Sequence, residues 1–329
     1  MSGALGAEGQ SKRPGISIAQ RILKRPELFS FLGLVLLSLL MIVVSDRFLT
    51  SANLSNIARQ ISINAIMSVG MTCVILTGGI DLSVGAVLAL SGTTIAGLML
   101  HGIPMGLAIC GGLLVGIIIG MINGTLVSIG RMPPIIVTLA MTEIPRGIAL
   151  IYTNGYPLSG LPDKYAFFGR GSVCGIFVPI IFMILVYVVA YLLLSKWPFG
   201  RYVLAVGGNE EAARLSGIRV KRYKRLVYVV SGFTAAIAGV IMSSRLMSGE
   251  PNAGTGFEMD AIAAVVLGGT DIAGGRGHII GTFIGAMMLG VLNNGLNLMG
   301  VSPYLQRIIK GAIIIAAILV SSTRNRKKN

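Results

Sequence analysis

The strongest constraint on this chain is a succession of segments, most of them close to twenty residues long, that are apolar on every side and separated by short polar connectors. A helix needs about 20 apolar residues to cross a hydrocarbon layer about 30 Å thick. Such segments fall at Leu28–Ser45, Ile61–Thr77, Val84–Leu100, Met105–Ile129, Ile135–Tyr152, Ile176–Ser195, Leu226–Met247, Glu258–Leu267, Ile279–Leu298 and Tyr304–Ser321. They lack the polar face that seats a helix on a water-soluble core. With 54% of 329 residues hydrophobic and 12% charged, the chain has too little polar surface to enclose these segments in water. The reading is an all-α polytopic membrane protein with about ten transmembrane helices. The eighth segment is the weakest, well short of a full crossing.

Charge sets the expected orientation. Lys and Arg concentrate on the cytoplasmic side of membrane proteins. Ten crossings with the N-terminus inside place 19 basic residues in inner segments and four in outer loops, Arg47, Arg59, Lys164 and Arg170. Both termini are therefore expected in the cytoplasm, with an N-terminal segment 1–27, a transmembrane domain 28–322 containing a cytoplasmic loop 196–225, and a basic tail 323–329. Lys12, Arg13, Arg21, Lys24 and Arg25 lead into a span too long for a signal peptide, so the first helix reads as an anchor. The net charge of +15 is explained by this topology rather than by nucleic acid, and it suits contact with anionic headgroups. Cys73, Cys110 and Cys174 have no metal-ligand spacing, and no metal site is expected.

The longest hydrophilic segment, Lys196–Arg225, contains G-G-N-E-E-A-A-R-L-S-G at Gly207–Gly217. It predicts a short helix. Asn209 is a good N-cap, Glu210 and Glu211 complement the positive helix start, Ala212, Ala213 and Leu215 favour helix, Arg214 lies near its end, and Gly217 suits the stop. Two turns are marginal alone in water. Two readings stand: a solvated connector, or a helix that docks into a partner's groove, with Ala212 and Ala213 permitting close approach.

Polar residues inside apolar text are the next signal. In G-G-I-D-L-S-V-G, Asp81 either caps the helix that starts near Val84 or serves function as a carboxylate within the membrane; Gly78, Gly79 and Gly85 fit both accounts. G-G-T-D-I-A-G-G at Gly268–Gly275 matches this stretch at Gly268, Gly269, Asp271 and Gly275. It is either an internal repeat with two elbows at the meeting point or a coincidence of Gly-rich text. Glu143 and Arg146 share a helix face and are expected to neutralise one another. Arg307 and Lys310 either snorkel or meet Glu258 or Asp260.

The sequence also resembles a family. N-A-I-M-S-V-G-M-T at Asn64–Thr72, I-L-T-G-G-I-D-L-S-V-G at Ile75–Gly85, G-G-N-E-E-A-A-R-L-S-G-I at Gly207–Ile218 and E-M-D-A-I-A-A-V-V-L-G-G-T at Glu258–Thr270 occur in order, followed by G-T-F-I-G-A at Gly281–Ala286 and N-N-G-L-N-L at Asn293–Leu298. Their order and spacing resemble the membrane-spanning permease subunit of bacterial ABC importers for monosaccharides, nearest the ribose type. The likeness runs from Asn53 to the C-terminus; the first 50 residues and Asn154–Gly175 match poorly. It implies a multi-pass transport subunit of the bacterial inner membrane, not an enzyme. It also implies three partners: a cytoplasmic ABC ATPase that binds the ATP, a periplasmic sugar-binding protein, and a second permease copy, identical or paralogous.

The chain contains no G-x-x-x-x-G-K-[ST], so no cofactor is expected in it. Asn209–Gly217 becomes the candidate ATPase contact, and Tyr156–Gly175 with Gly249–Phe257 the docking surface for the binding protein. Asp81, Ser83, Asn293, Asn294 and Asn297 become candidates for the translocation path, with helix–helix glue an equal role for the three amides. The family is expected to carry Ser at the position of Asp271. Two other classes compete. A proton-coupled secondary transporter would use a buried Asp but need no docking helix. An intramembrane aspartyl protease would need paired carboxylates, yet neither Asp lies in G-x-G-D.

Overall fold

A computed structural model describes residues 26–326, and the expected N-terminal segment and the end of the basic tail lie outside that range. Helices occupy each of the ten apolar segments: α1 (Pro26–Val44), α2 (Ser51–Leu76), α3 (Val84–Leu100), α4 (Met105–Ser128), α5 (Pro134–Thr153), α7 (Val178–Tyr191), α10 (Val220–Leu246), α11 (Phe257–Leu267), α12 (Ile279–Leu298) and α13 (Pro303–Arg326). Of the described helices, six are long and apolar enough to cross a membrane unaided: α2, α4, α5, α7 with its π-helical extension to Lys196, α10 and α12. The eleven-residue α11 spans about 16 Å at 1.5 Å per residue, half a crossing, so the weak eighth segment is a helix that stops inside the membrane.

Two helices begin earlier than hydropathy indicates. Thr50 caps α2 by accepting from the Asn53 N–H, and the following turns carry Asn56, Arg59 and Gln60, which dilute the apolar signal without breaking the helix. The basic run Lys221–Arg225 likewise forms the first turns of α10. Between α7 and α10 lie two short helices, α8 (Pro198–Gly208) and α9 (Glu210–Leu215). The connectors that follow α5 and α10 carry a short helix α6 (Phe167–Arg170) and four two-residue strands: β1 (Leu158–Ser159), β2 (Ser172–Val173), β3 (Ile176–Phe177) and β4 (Ser248–Gly249).

α2, α3 and α10 form the middle of the bundle, and α3 is buried along nearly its whole length. Most of α2 and α10 is buried, whereas most of α4, α5 and α7 is exposed. From Leu28 onward the exposed residues of α1, Phe29, Leu36, Leu40 and Val43 among them, are all apolar, as suits a lipid-facing surface. The tightest seam joins α4 to α10. Gly112, Gly116, Gly120 and Gly124 line one face of α4 at four-residue spacing. A Cβ built on Gly120 would lie 2.9 Å from the Val229 Cα and 3.0 Å from the Tyr228 carbonyl carbon, so the backbones meet with no side chain between them.

These connectors form a cover over one end of α10. Leu158 pairs with Gly249 and Ser159 with Ser248, so β1 and β4 join the two segments expected to dock a binding protein. Tyr165 is fully buried beneath them; its hydroxyl shares a hydrogen bond with the Ser243 hydroxyl (2.7 Å) and donates to the Val240 carbonyl (3.1 Å), fixing the cover to α10.

Candidate functional site

The break between α2 and α3 is built from residues that close one helix and open another. Gly78, at φ 76°, donates to the Ile75 carbonyl (2.8 Å), and Gly79 donates to the Val74 carbonyl (3.2 Å), a left-handed C-terminal closure that favours glycine. The chain then runs unwound through Ile80–Ser83. Backbone polar groups inside a membrane bundle need partners, and the α5 hydroxyls of Thr138 and Thr142 supply them by donating to the carbonyls of Ile80 (3.1 Å) and Leu82 (3.0 Å).

Asp81 lies at the centre of this turn, 1% exposed. One carboxylate oxygen accepts from the Ser83 N–H (3.0 Å) and Ser83 hydroxyl (2.6 Å); the other accepts from the Ser231 hydroxyl on α10 (2.7 Å). Asn123 on α4 donates to the Ser83 hydroxyl at 2.9 Å. Asp81 and Ser83 thus fasten the start of α3 to α4 and α10. Gly85 is pressed against α11: its Cβ would lie 2.7 Å from a Glu258 carboxylate oxygen.

The break after α11 repeats the closure. Gly269, at φ 86°, donates to the Val266 carbonyl (2.9 Å), and Thr270 donates to the Val265 carbonyl (3.2 Å). These bonds equate Gly78 with Gly269 and Gly79 with Thr270, one residue away from the textual match of Gly78–Gly85 with Gly268–Gly275. In this register Asp81 corresponds to Ile272 and Asp271 to Ile80. The backbone repeats while the two aspartates do not. Asp271 accepts from the Ala273 N–H within its own turn (3.1 Å). Gly268 itself packs on α12, its Cβ 2.6 Å from the Thr282 nitrogen.

The two elbows meet at one end of the bundle. The Gly275 N–H donates to the Leu76 carbonyl (3.0 Å), and a Cβ on Gly274 would lie 2.7 Å from the Gly78 nitrogen. The end of α8 joins them: a Cβ on Gly207 would lie 2.6 Å from the Gly275 nitrogen, and one on Gly275 would lie 2.7 Å from the Gly208 Cα. This junction is main chain against main chain. Sequence reasoning missed both α8 and the junction, although the run Gly207–Gly208 beside the predicted cap was its visible trace.

α9 continues directly from the junction. The Asn209 side chain accepts from the Ala212 N–H (2.9 Å), and Gly217 takes φ 83° after the last turn. Ala213 points inward, buried with Val206, Val220 and Ile218, so Ala213 is unavailable to a partner. The outward face carries Ala212, Leu215 (73% exposed) and the forked pair between Arg214 and Glu211. The hydrogen bond from Arg214 holds the Glu211 carboxyl below the ordinary range. Glu210 pairs with Lys224 at the start of α10, bracing α9 against that helix.

The three amides of α12 are placed differently. Asn294 exchanges hydrogen bonds with Asn53 on α2 (3.0 and 2.7 Å), so its polar atoms join helices. Asn297 accepts from Gln306 (2.8 Å), and Asn293 is buried within α12's packed side. Glu143 lies within electrostatic range of Arg146, as expected, without forming a close ion pair. Arg146 donates to the carbonyls of Pro251 (2.6 Å) and Ala253 (2.7 Å), because the loop before α11 crosses its path. Lys310 pairs with Asp260 (3.0 Å), one of the two partners expected for it, while Arg307 is exposed.

Comparison with known proteins decides the class. A family model described as the permease component of branched-chain amino acid transport systems matches residues 53–318. The ribose import permease protein of Bacillus subtilis strain 168 is 50% identical over 301 residues, 91% of this chain and 92% of that protein. That of Escherichia coli K12 is 47% identical over 299 residues, 90% and 93% of the two chains. The chain belongs to this permease family. The D-allose transport system permease protein of Escherichia coli K12, 42% identical over 274 residues and 83% and 84% of the two chains, falls in the same set. The family description names amino acids and these relatives name sugars, so the shared scaffold does not dictate the cargo. The permease is a multi-pass protein of the bacterial inner membrane and a transport component.

Proposed function

We propose that this permease carries a ribose-like monosaccharide inward as the membrane subunit of an ATP-driven importer. In this reading a separate cytoplasmic ATPase docks on α9, a periplasmic binding protein delivers the sugar to the cover joined by β1 and β4, and two permease copies enclose the path. The observation that carries it is that α9 follows, through Asn209, directly on the end of α8 that packs main chain to main chain against both elbows. A partner that shifts α9 moves the two breaks together, with no side-chain slack between them. The breaks are discontinuities between helices, the positions at which transporters form their substrate sites.

Asp81 fits a structural role in this scheme. Both its oxygens are taken by amide and hydroxyl donors from within the bundle, which suits a fastening of α3 and not a proton carrier facing an open path. Cargo selection lies mainly with the delivering protein, since a ligand held equally well in every state of the permease would shift none of them.

The test is reconstitution of the permease with its ATPase and binding protein in liposomes. Uptake of radiolabelled ribose that requires ATP and the binding protein is the expected result. Uptake driven by a proton gradient without ATP would refute the reading.

A further inference from the structure

Glu143 is a carboxylate that accepts no hydrogen bond from the described residues and meets Arg146 only at electrostatic range. It is the tenth of the twenty residues of α5, about 14 Å from either end at 1.5 Å per residue, and therefore close to the middle of the membrane. Its side chain is exposed and makes no hydrogen bond or close ion pair among the described residues, while buried Val137, Met141, Pro145 and Ala149 hold the other side of the helix. The face around it is open: a Cβ on Gly147, one turn along, would meet nothing within 4 Å.

A carboxylate at that depth facing lipid costs a few kcal/mol or more, and such residues face protein or a water-filled cavity. A chain of charges runs inward from Glu143, through Arg146 and Glu258 to buried Asp260. Arg146 lies within electrostatic range of Glu143 and Glu258, and Asp260 and Lys310 pair beyond them. A lipid-covered surface does not expose a carboxylate at the head of such a chain, whereas α7 exposes Ile181, Leu185, Val188 and Val189.

Resting on the importer reading above, we propose that Glu143 lines the sugar path and accepts hydrogen bonds from the substrate's hydroxyls, on a face of α5 and α11 that a second permease copy completes. A carboxylate has two acceptor oxygens and suits a polyol, which presents adjacent hydroxyl donors. Wetting by the path removes the desolvation penalty that lipid would impose.

The experiment uses the complete importer in liposomes, with the exposed thiols Cys110 and Cys174 replaced by Ser. Glu143→Cys is expected to react with a membrane-impermeant, charged methanethiosulfonate, and ribose is expected to slow that reaction; Leu185→Cys on α7 is expected to be inert. Glu143→Gln is expected to lower ribose uptake at least tenfold while the ATPase still co-purifies. A Glu143→Cys thiol as inert as Leu185→Cys, or wild-type uptake by both Glu143→Gln and Glu143→Ala, overturns the assignment. These outcomes separate it from the importer reading. Reactivity at Glu143→Cys with no ribose uptake by the unsubstituted complex would overturn ribose as cargo and keep the wetted path. An inert thiol in a complex that transports would overturn the path and keep the importer.

Discussion

Replacing Asp81 by Ala tests whether the elbow between α2 and α3 is a fastening. The substitution leaves three donors without an acceptor: the Ser83 N–H, the Ser83 hydroxyl and the Ser231 hydroxyl, all in fully buried residues. A buried donor without a partner costs about 1–3 kcal/mol. Relief from burying a carboxylate offsets part of that sum, so the expected net loss is roughly 3 kcal/mol. Asp81→Asn keeps one oxygen for both Ser83 donors and presents an amide that Ser231 can accept, so its expected loss is within about 1 kcal/mol. The fold supplies its own reporter, because Cys73 is buried in α2 while Cys110 and Cys174 are exposed. In a background with the exposed pair replaced by Ser, the rate at which a thiol-reactive dye reaches Cys73 on heating in detergent follows unfolding. An Asp81→Ala permease that opens as slowly as the wild type would refute the fastening role.

Three further outcomes are expected. Asn294→Ala strands the buried Asn53 amide and should cost about 1–3 kcal/mol, whereas Asn53→Leu with Asn294→Leu should recover much of the loss, read by the same dye assay. Leu215→Asp should leave thermal stability unchanged, because the side chain is 73% exposed, and should abolish co-purification of the ATPase. The Glu211 carboxyl, depressed by Arg214, should titrate by carbon-13 NMR below the ordinary value of about 4.3. A depressed group stabilises the fold above its unfolded pKa and loses that contribution as the pH falls through its folded value. The pair is therefore intact at neutral pH and lost in acid, and Arg214→Ala should return the midpoint to the ordinary range.

Much of the fold was legible in the sequence because lipid imposes a simple rule of length and apolarity. The rule failed where polar residues ride on a helix whose ends reach water or protein, as with Asn56, Arg59 and Gln60 in α2 and Lys221–Arg225 in α10. The cap at Asn209 was readable because it is local, resting on one residue and its neighbours three along. Inward burial of Ala213 was not, since it depends on Val206 and Val220 approaching from elsewhere. The off-register repeat escaped for a different reason. Identical letters at Asp81 and Asp271 suggested one alignment, and only the turn hydrogen bonds of Gly78 and Gly269 establish another. The electrostatic pairing of Glu143 with Arg146 was readable from their spacing, whereas the bonds of that guanidinium to the carbonyls of Pro251 and Ala253 were not, since they come from a loop more than a hundred residues along.

The joint at Leu76, Gly207 and Gly275 has a consequence for how such permeases diversify. Its surfaces are peptide groups, which are the same in every protein, so substitutions elsewhere in the bundle can alter what is carried without touching the linkage that drives the carrying. Adding even one methyl group at the glycines would break it. A joint of this kind admits no graded change: it is kept whole or lost whole.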